Sequence, residues 1–232
     1  MSEESRRILV VEDENQIRKF LRISLEAHGY EVVEERLAGA ALEALTSIEP
    51  HLVILDLGLP DMDGQKFIER VREWSEVPII VLSVRSRESD KVAALDAGAN
   101  DYVTKPFGIS ELMARVRAVL RGSAGQARDE TVFEAGDLRV DPTSREVRVS
   151  GRPVHLSRKE YSLLLLFISH PGQVLTHRQI LREVWSPRQE SQTHYLRVLV
   201  GQLRQKLGDD PANPSYIATE QGVGYRFIAI SG

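Results

Sequence analysis

The chain has 232 residues, of which 42% are hydrophobic and 28% are charged, as expected for a globular protein of two ordinary domains. It contains no cysteine, which excludes disulfides and thiolate metal sites and favours a reducing compartment. No apolar run approaches the ~20 residues of a membrane-spanning helix, and the polar N-terminus MSEESRRILVV is unlike a signal peptide. We therefore expect a cytoplasmic protein with no membrane partner.

The two halves of the chain differ in charge. Residues 1–120 contain 15 Lys and Arg against 22 Asp and Glu, a net charge of −7, whereas residues 121–232 contain 15 against 12, a net charge of +3. This asymmetry favours cation binding in the first half and polyanion binding in the second.

The first half alternates short apolar runs with amphipathic segments. The apolar runs, which predict strands, are 8–11, 30–33, 52–55, 78–82 and 102–103. The first segment between them has Ile17, Phe20, Leu21, Ser24 and Leu25 at the spacing of one helical face. Five strand–helix units in about 120 residues predict an α/β domain with a doubly wound parallel sheet.

Polar side chains follow four of the predicted strands. Glu12 and Asp13 come after the first, Asp56 after the third, Ser83 after the fourth and Lys105 after the fifth. In open α/β sheets the chemistry lies beyond the carboxyl ends of the strands, so these groups are expected to converge at one edge. The alternative is that each caps or pairs locally, with Asp56 ending its strand or capping the next helix.

The converging groups favour phosphoryl chemistry with a metal. Carboxylates this close together repel one another unless a cation joins them, and oxygen ligands without His or Cys favour Mg²⁺ where phosphate is handled. A carboxylate beside Mg²⁺, with Lys and Ser to hold phosphoryl oxygens, favours an aspartyl phosphate. The sequence has no glycine-rich phosphate loop, so a nucleotide site is not expected.

Four motifs of the first half resemble the receiver domain of bacterial response regulators, namely VEDE at 11–14, LDLGLPDMDG at 55–64, LSVRS at 82–86 and DAGANDYVTKPF at 96–107. The resemblance implies the strand order 2-1-3-4-5 and phosphorylation of Asp56 by a sensor histidine kinase. It also implies that Mg²⁺ is held by Asp56 together with Glu12, Asp13 and the backbone carbonyl of Gly58. Ser83 and Lys105 would bind the phosphoryl group, and Tyr102 would be the switch residue. Position 58 is commonly Met in such receivers.

The segment RGSAGQARDET at 121–131 lacks apolar periodicity and predicts a flexible linker. We therefore expect a receiver at 1–121, a linker at 122–131 and a second domain at 132–230. In the second domain, short antiparallel strands are predicted at 132–140, 146–149 and 152–156. A capped helix is predicted from Ser157 with Glu160, and a terminal hairpin from YIATEQGVGYRFIAI.

A helix predicted at 193–207 has an apolar stripe and an opposite polar face. The stripe consists of Leu196, Leu199, Val200, Leu203 and Leu207, and no acidic residue occurs from 191 to 208. A polar face without acids, on a helix preceded by another helix, suits insertion into the major groove of DNA. A solvated surface helix is the alternative.

The second half resembles the winged helix-turn-helix domain of the OmpR/PhoB family, an α+β fold, through HLSRKEYSLLLLFISHPGQVLTHRQIL, YLRVLVGQLRQKLGDDP and GVGYRF. Within that family, the combined motifs resemble regulators of potassium-uptake operons. The expected DNA contacts are His194, Tyr195, Arg197, Gly201, Gln202, Arg204 and Thr219. Arg197 and Gln202 are expected at base edges, and Arg204 and Thr219 at phosphates. Gln221 occupies a wing position that is commonly Arg.

The resemblance also implies that phosphorylation produces a homodimer through the fourth helix, fifth strand and fifth helix. The charged residues expected on this face are Lys91, Asp96, Asp101, Glu111, Arg115 and Arg117. Between two copies, Lys91 is expected to pair with Glu111 and Asp101 with Arg115. The implied partners are a sensor histidine kinase, double-stranded promoter DNA and RNA polymerase, and the chain is not expected to be an enzyme. The rival hypotheses are a magnesium-dependent phosphatase with an aspartyl-phosphate intermediate and an adaptor that is never phosphorylated.

Overall fold

The computed structural model describes residues 6–123, 132–185 and 193–228. The chain divides into two compact units, Met1–Leu120 and Arg121–Gly232. Of the predicted linker, residues 124–131 lie outside the described residues, and the helix before them extends to Ser123. The predicted domain boundaries stay predictions. Within the described parts of the chain, no helix is long and apolar enough to cross a membrane.

The first unit alternates five strands and five helices. They are β1 (Arg7–Val11), α1 (Asn15–Glu26), β2 (Glu31–Glu35), α2 (Ala38–Ile48), β3 (Leu52–Asp56), α3 (Gly64–Arg72), β4 (Ile79–Ser83), α4 (Glu88–Asp96), β5 (Asp101–Thr104) and α5 (Ile109–Ser123). The strands form one parallel sheet in the order β2-β1-β3-β4-β5, which confirms the predicted fold.

The central strands of this sheet are buried on both faces. Every residue of β3 and β4 is buried, as expected for apolar runs covered by helices on both sides of a parallel sheet. Because the strands are parallel, their carboxyl ends lie at one edge. That edge therefore collects Glu12, Asp56, Ser83 and Lys105.

Helix α1 buries most of the predicted face, with one exception. Its buried residues are Arg18, Leu21 and Leu25, whereas Phe20 is 46% exposed. The predicted apolar face is therefore wrong at Phe20, and a charged residue lies among the buried ones.

In its described residues, 132–185 and 193–228, the second unit has two small sheets and three helices. Its elements are β6 (Phe133–Ala135), β7 (Leu138–Asp141), β8 (Glu146–Val149), β9 (Arg152–Pro153), α6 (Arg158–Ser169), β10 (Val174–Thr176), α7 (His177–Val184), α8 (Thr193–Leu207), β11 (Ile217–Glu220) and β12 (Gly224–Phe227). The sheets have the orders β6-β7-β8-β9 and β10-β12-β11. Helices α6, α7 and α8 are followed by the antiparallel β11–β12 hairpin. This arrangement confirms the predicted winged-helix domain.

Two local predictions in this unit differ from the structure. The stretch 132–140 is two strands, because the chain turns at Gly136, whose φ is +56°. Strand β10 was not predicted as a strand; it pairs with β12. The Ser157 capping box on α6 is present, and its Glu160 carboxylate also binds Lys206 of α8 at 2.6 Å.

Candidate functional site

Three carboxylates lie together at the edge of the parallel sheet. Ligand atoms of Glu12, Asp13 and Asp56 all lie within 4.8 Å of one another. Glu12 and Asp13 follow β1, and Asp56 ends the neighbouring strand β3. Glu12 is 1% exposed and Asp56 7% exposed, so little solvent screens the repulsion between these charges.

Lys105 offsets part of this repulsion. Its Nζ lies 2.8 Å from Glu12 Oε2 and 3.3 Å from Asp56 Oδ2, and a cis peptide joins it to Pro106. Burial raises the pKa of the Glu12 carboxyl, although the Lys105 hydrogen bond opposes that shift. Burial alone would lower the pKa of Lys105, but the hydrogen bond to Glu12 and the Asp56 charge outweigh it, so this pKa is raised. Lys105 is therefore held as a cation between two carboxylates.

Ser83 ends β4, and Tyr102 lies on the neighbouring strand β5. Ser83 is buried, and its Oγ accepts a hydrogen bond from the Arg85 backbone N–H at 3.1 Å. The Tyr102 hydroxyl donates to the Arg85 carbonyl oxygen at 2.7 Å. Burial raises the pKa of the Tyr102 phenol, and a hydrogen bond with Ser83 opposes that shift. The predicted switch pair is thus linked through the backbone of Arg85.

The loop between β3 and α3 is held by carboxylates that the sequence analysis did not single out. Asp61 accepts hydrogen bonds at 2.9 Å from the N–H groups of Ala38 and Gly39 at the start of α2. Asp63 caps α3 and forms a 3.2 Å ion pair with Arg85. The sequence signal for both was their place in a turn-rich segment, where Asp commonly caps helices.

Gly58 lies in the same loop and leaves Asp56 uncovered. A Cβ atom at position 58 would lie 3.4 Å from Asp56 Oδ2. A longer side chain there would therefore extend beside the carboxylate, and glycine keeps that approach open.

An open cavity of about 420 Å³ lies beside Lys105. Its lining consists of Glu14, Gln16, Ile17, Phe20, Val84, Lys105, Pro106 and Phe107. Phe20 is 46% and Val84 74% exposed. The rim next to the carboxylates therefore presents apolar surface to an incoming molecule.

The residues predicted on the dimer face include an ion pair formed within the chain. Asp101 is fully buried, and both of its carboxylate oxygens lie 3.1 Å from Arg115 Nη1. Arg115 also binds Glu111, one helical turn earlier. Lys91 and Asp96 are half-buried and Arg117 is exposed. An intermolecular Asp101–Arg115 pair would therefore have to share or replace an existing one.

Helix α8 presents most of the predicted DNA contacts to solvent. The predicted stripe from Leu196 to Leu207 is buried. The exposed predicted contacts are His194, Tyr195, Arg197, Gly201 and Gln202. Val198, which the sequence analysis did not name, is 45% exposed between them. A Cβ at Gly201 would meet no atom within 4 Å, so this face is open in the middle.

Arg204 does not fit its predicted role as a phosphate contact. It is 8% exposed, and its Nη2 donates to the Ile217 carbonyl oxygen at 2.6 Å and to Thr219 Oγ1 at 2.8 Å. The Asp209 carboxylate, which lies 3.8 Å from Arg204 Nε, also accepts three backbone N–H groups at 215–217. Arg204 therefore joins α8 to β11. Thr219 itself is exposed.

Both units match known families. Residues 8–117 match the family described as response regulator receiver domain, and residues 151–227 match the family described as transcriptional regulatory protein, C terminal. A receiver joined to a DNA-binding domain implies a histidine kinase and promoter DNA as partners.

Individual relatives cover nearly the whole chain. The KDP operon transcriptional regulatory protein KdpE of Escherichia coli is 50% identical over 95% of this chain and 98% of its own. The transcriptional regulatory protein KdpE of Mycobacterium tuberculosis H37Rv is 45% identical over 96% and 99%. The solved structure of DrrB, a Thermotoga maritima OmpR/PhoB homologue, is 30% identical with a TM-score of 0.51, over 97% of this chain and 100% of that one. The chain belongs to the response regulators of two-component systems that carry an OmpR/PhoB-type DNA-binding domain and regulate transcription.

Proposed function

We propose that Asp56 accepts a phosphoryl group from a sensor histidine kinase and that this controls DNA binding by the second domain. The observation that carries the proposal is the bridge from Lys105 to both Glu12 and Asp56, at 2.8 and 3.3 Å. It holds a cation beside a carboxylate at the solvent-accessible edge of the sheet. The apolar rim at Phe20 and Val84 provides a surface on which a protein donor can pack.

The same cluster fits Mg²⁺. The ligand atoms of Glu12, Asp13 and Asp56 are all carboxylate oxygens, the donors that Mg²⁺ prefers. The Gly58 backbone carbonyl is proposed as a further ligand. When bound, Mg²⁺ would neutralise charge on the carboxylates and on phosphoryl oxygens.

The residues of the chain have distinct proposed roles in phosphoryl transfer. An Asp56 carboxylate oxygen attacks phosphorus, a P–O bond forms, and the bond from phosphorus to the donor nitrogen breaks. Lys105 and Ser83 hold phosphoryl oxygens. Because Ser83 Oγ accepts the Arg85 backbone N–H and the Arg85 carbonyl accepts the Tyr102 hydroxyl, engagement of Ser83 by phosphate would change the loop between β4 and α4. Gly58, rather than a second Asp, lies two residues after Asp56, which argues against a phosphatase that needs an acid there.

We propose that α8 reads an operator in the major groove. Arg197 and Gln202 carry hydrogen-bonding groups suited to guanine and adenine edges, and Thr219 is proposed as a phosphate contact. The names of the two KdpE relatives support a potassium-transport operon as the target. A regulator of transcription also has to act on RNA polymerase, which we propose as a partner at the promoter.

We further propose that phosphorylated receivers pair symmetrically through α4, β5 and α5. In a symmetric dimer each contact occurs twice. Lys91 and Glu111 are the proposed pair, because Asp101 is buried against Arg115 within the chain. Glu111 also binds Arg115 but is exposed, so Lys91 of a second copy would share it. Exposed ion pairs contribute only ~0–1 kcal/mol each, so these charges would set orientation more than affinity.

The phosphoacceptor assignment predicts that Asp56→Asn abolishes labelling by radioactive acetyl phosphate, because an amide is not a nucleophile. The measurement is incorporated, hydroxylamine-sensitive label per chain. Asp61→Asn is the matched control, since Asp61 lies in the same loop but is hydrogen-bonded to α2. Wild-type labelling of Asp56→Asn would refute the assignment.

The metal assignment predicts opposite stability effects for two nearby carboxylates. Without metal, Asp13→Asn should stabilise the receiver by on the order of 1 kcal/mol, because it removes one of three clustered charges. Asp61→Asn should destabilise it by about 0.3–1 kcal/mol, because it removes an anion at a helix N-terminus. The N–H groups of Gly39 and Ala38 also lower the pKa of Asp61.

Thermal unfolding with EDTA and then with Mg²⁺ measures both effects. Magnesium should raise the Tm of wild type and of Asp61→Asn, and much less that of Asp13→Asn. Destabilisation of the metal-free protein by Asp13→Asn would contradict the expected repulsion.

The base-contact assignment predicts that Arg197→Ala costs ~1–3 kcal/mol on the selected operator and less on random DNA. The operator is first selected from genomic fragments retained by the phosphorylated protein. Arg152→Ala, an exposed arginine on β9, controls for loss of charge. Equal losses on operator and random DNA would make Arg197 a phosphate contact.

The dimer assignment predicts that Lys91→Glu and Glu111→Lys each weaken association in beryllofluoride, and that the double variant restores part of it. Sedimentation velocity of the full chain measures the dimer fraction. Lys66→Glu on α3 is the control, because Lys66 is exposed on another helix. If the dimer fraction of the double variant falls by as much as the two single losses together, this ion pair does not form and the receivers pair through another surface.

A further inference from the structure

Arg18 is a buried cation that the proposed phosphoryl-transfer chemistry does not use. It lies on α1 on the same buried face as Leu21 and Leu25 and is 8% exposed. Burying a guanidinium is costly unless its N–H groups find partners. Its partners therefore indicate why an arginine occupies this position.

The guanidinium of Arg18 binds the backbone of the loop between β1 and α1. Its Nη1 donates to the carbonyl oxygen of Glu12 at 2.7 Å and to that of Asp13 at 3.2 Å. Its Nη2 donates to Asn15 Oδ1 at 3.0 Å, and its Nε lies 3.9 Å from Glu34 Oε1 on β2. One side chain thus binds two consecutive loop residues and the first residue of α1, and its Nε approaches the neighbouring strand.

This loop lacks the usual device that fixes the start of a helix. The residue preceding α1 is Glu14, and its side chain makes no capping hydrogen bond. By contrast, α3, α6 and α7 each begin with a side-chain cap, at Asp63, Ser157 and Thr176. In α1 the loop is instead held from within the helix, where Arg18 binds the carbonyl groups of Glu12 and Asp13.

We propose that Arg18 is a positioning residue for the metal site. By holding the carbonyl groups of Glu12 and Asp13, it fixes the two peptide units that carry these side chains and so orients both carboxylates toward Asp56. Arg18 binds only their carbonyl groups, so it acts through the loop. The inference rests on the proposed function, because it takes Mg²⁺ as the ion bound there.

Two effects of Arg18 on metal affinity oppose each other. A nearby positive charge weakens cation binding, whereas a preorganised ligand set strengthens it. The charge of Arg18 is partly offset by Glu34, so orientation of the ligands should dominate. The chain offers a matched control in Arg22, which lies one turn further along α1, is paired with the same Glu34 at 3.3 Å and has its other described ion pair with Glu26.

The test compares Arg18→Gln, Arg18→Lys and Arg22→Gln by calorimetric titration of the full chain with MgCl₂. Both glutamine variants lose one positive charge, so their difference isolates the carbonyl contacts. Arg18→Gln should bind Mg²⁺ about 10-fold more weakly than wild type, and Arg22→Gln as tightly as wild type or slightly more so. Arg18→Lys keeps the charge without the planar fork and should fall between wild type and Arg18→Gln.

A second measurement separates positioning from damage to the fold. The rate of Asp56 labelling by acetyl phosphate should need more Mg²⁺ for half its maximum in Arg18→Gln, while the maximum itself stays as in wild type. An Arg18→Gln variant with the affinity of Arg22→Gln would overturn the inference. If Arg18→Gln does not fold, the Mg²⁺ affinity of Arg18→Lys is the test. Wild-type affinity in Arg18→Lys would then overturn the inference. A wild-type protein that binds no Mg²⁺ would instead overturn the proposed metal site itself.

Discussion

Repulsion among Glu12, Asp13 and Asp56 is the constraint on which the receiver depends. These carboxylates lie at the ends of two adjacent strands, where little solvent screens them. The cation that offsets them comes from the end of β5, which is separated from β3 by β4. A lysine can cross that distance because its charge is carried on a long, flexible stem. The sheet order therefore determines both where the negative charges meet and which side chain can reach them.

Much of the receiver site could be predicted from sequence because its residues directly follow apolar strands. Strand ends are local features, and parallel strands bring them to one edge. The supporting residues are harder to predict, because their roles arise from tertiary contacts. Arg18 follows Ile17 in an amphipathic pattern and could equally have been exposed, and Phe20 looks like a core residue but lies at an open rim. Only the packed structure decides which of the two is buried.

The second domain contains a similar case in Arg204. Arg204 lies four residues after Val200 and three before Leu207, both on the buried stripe of α8. That spacing places it on the inward face of a helix. Its residue type favoured a phosphate contact, but position outweighed type, and the side chain binds Ile217 and Thr219 instead. Arg197 lies seven residues earlier, on nearly the same side of the helix, yet it stays exposed, as predicted, so spacing alone does not separate the two arginines.

Strand β5 connects the phosphoryl site to the proposed dimer face through two consecutive residues. The Tyr102 hydroxyl donates to the Arg85 carbonyl, and the Arg85 N–H donates to Ser83, while Asp101 binds Arg115 of α5. Asp101 also accepts a hydrogen bond from the Tyr102 backbone N–H at 2.7 Å. A shift of Tyr102 would therefore act directly on a buried ion pair, and a buried pair is costly to break. The proposed phosphorylation of Asp56 would need only to move Ser83 and the loop after it to disturb this pair, and Arg115 also binds Glu111, whose charge the proposed dimer uses.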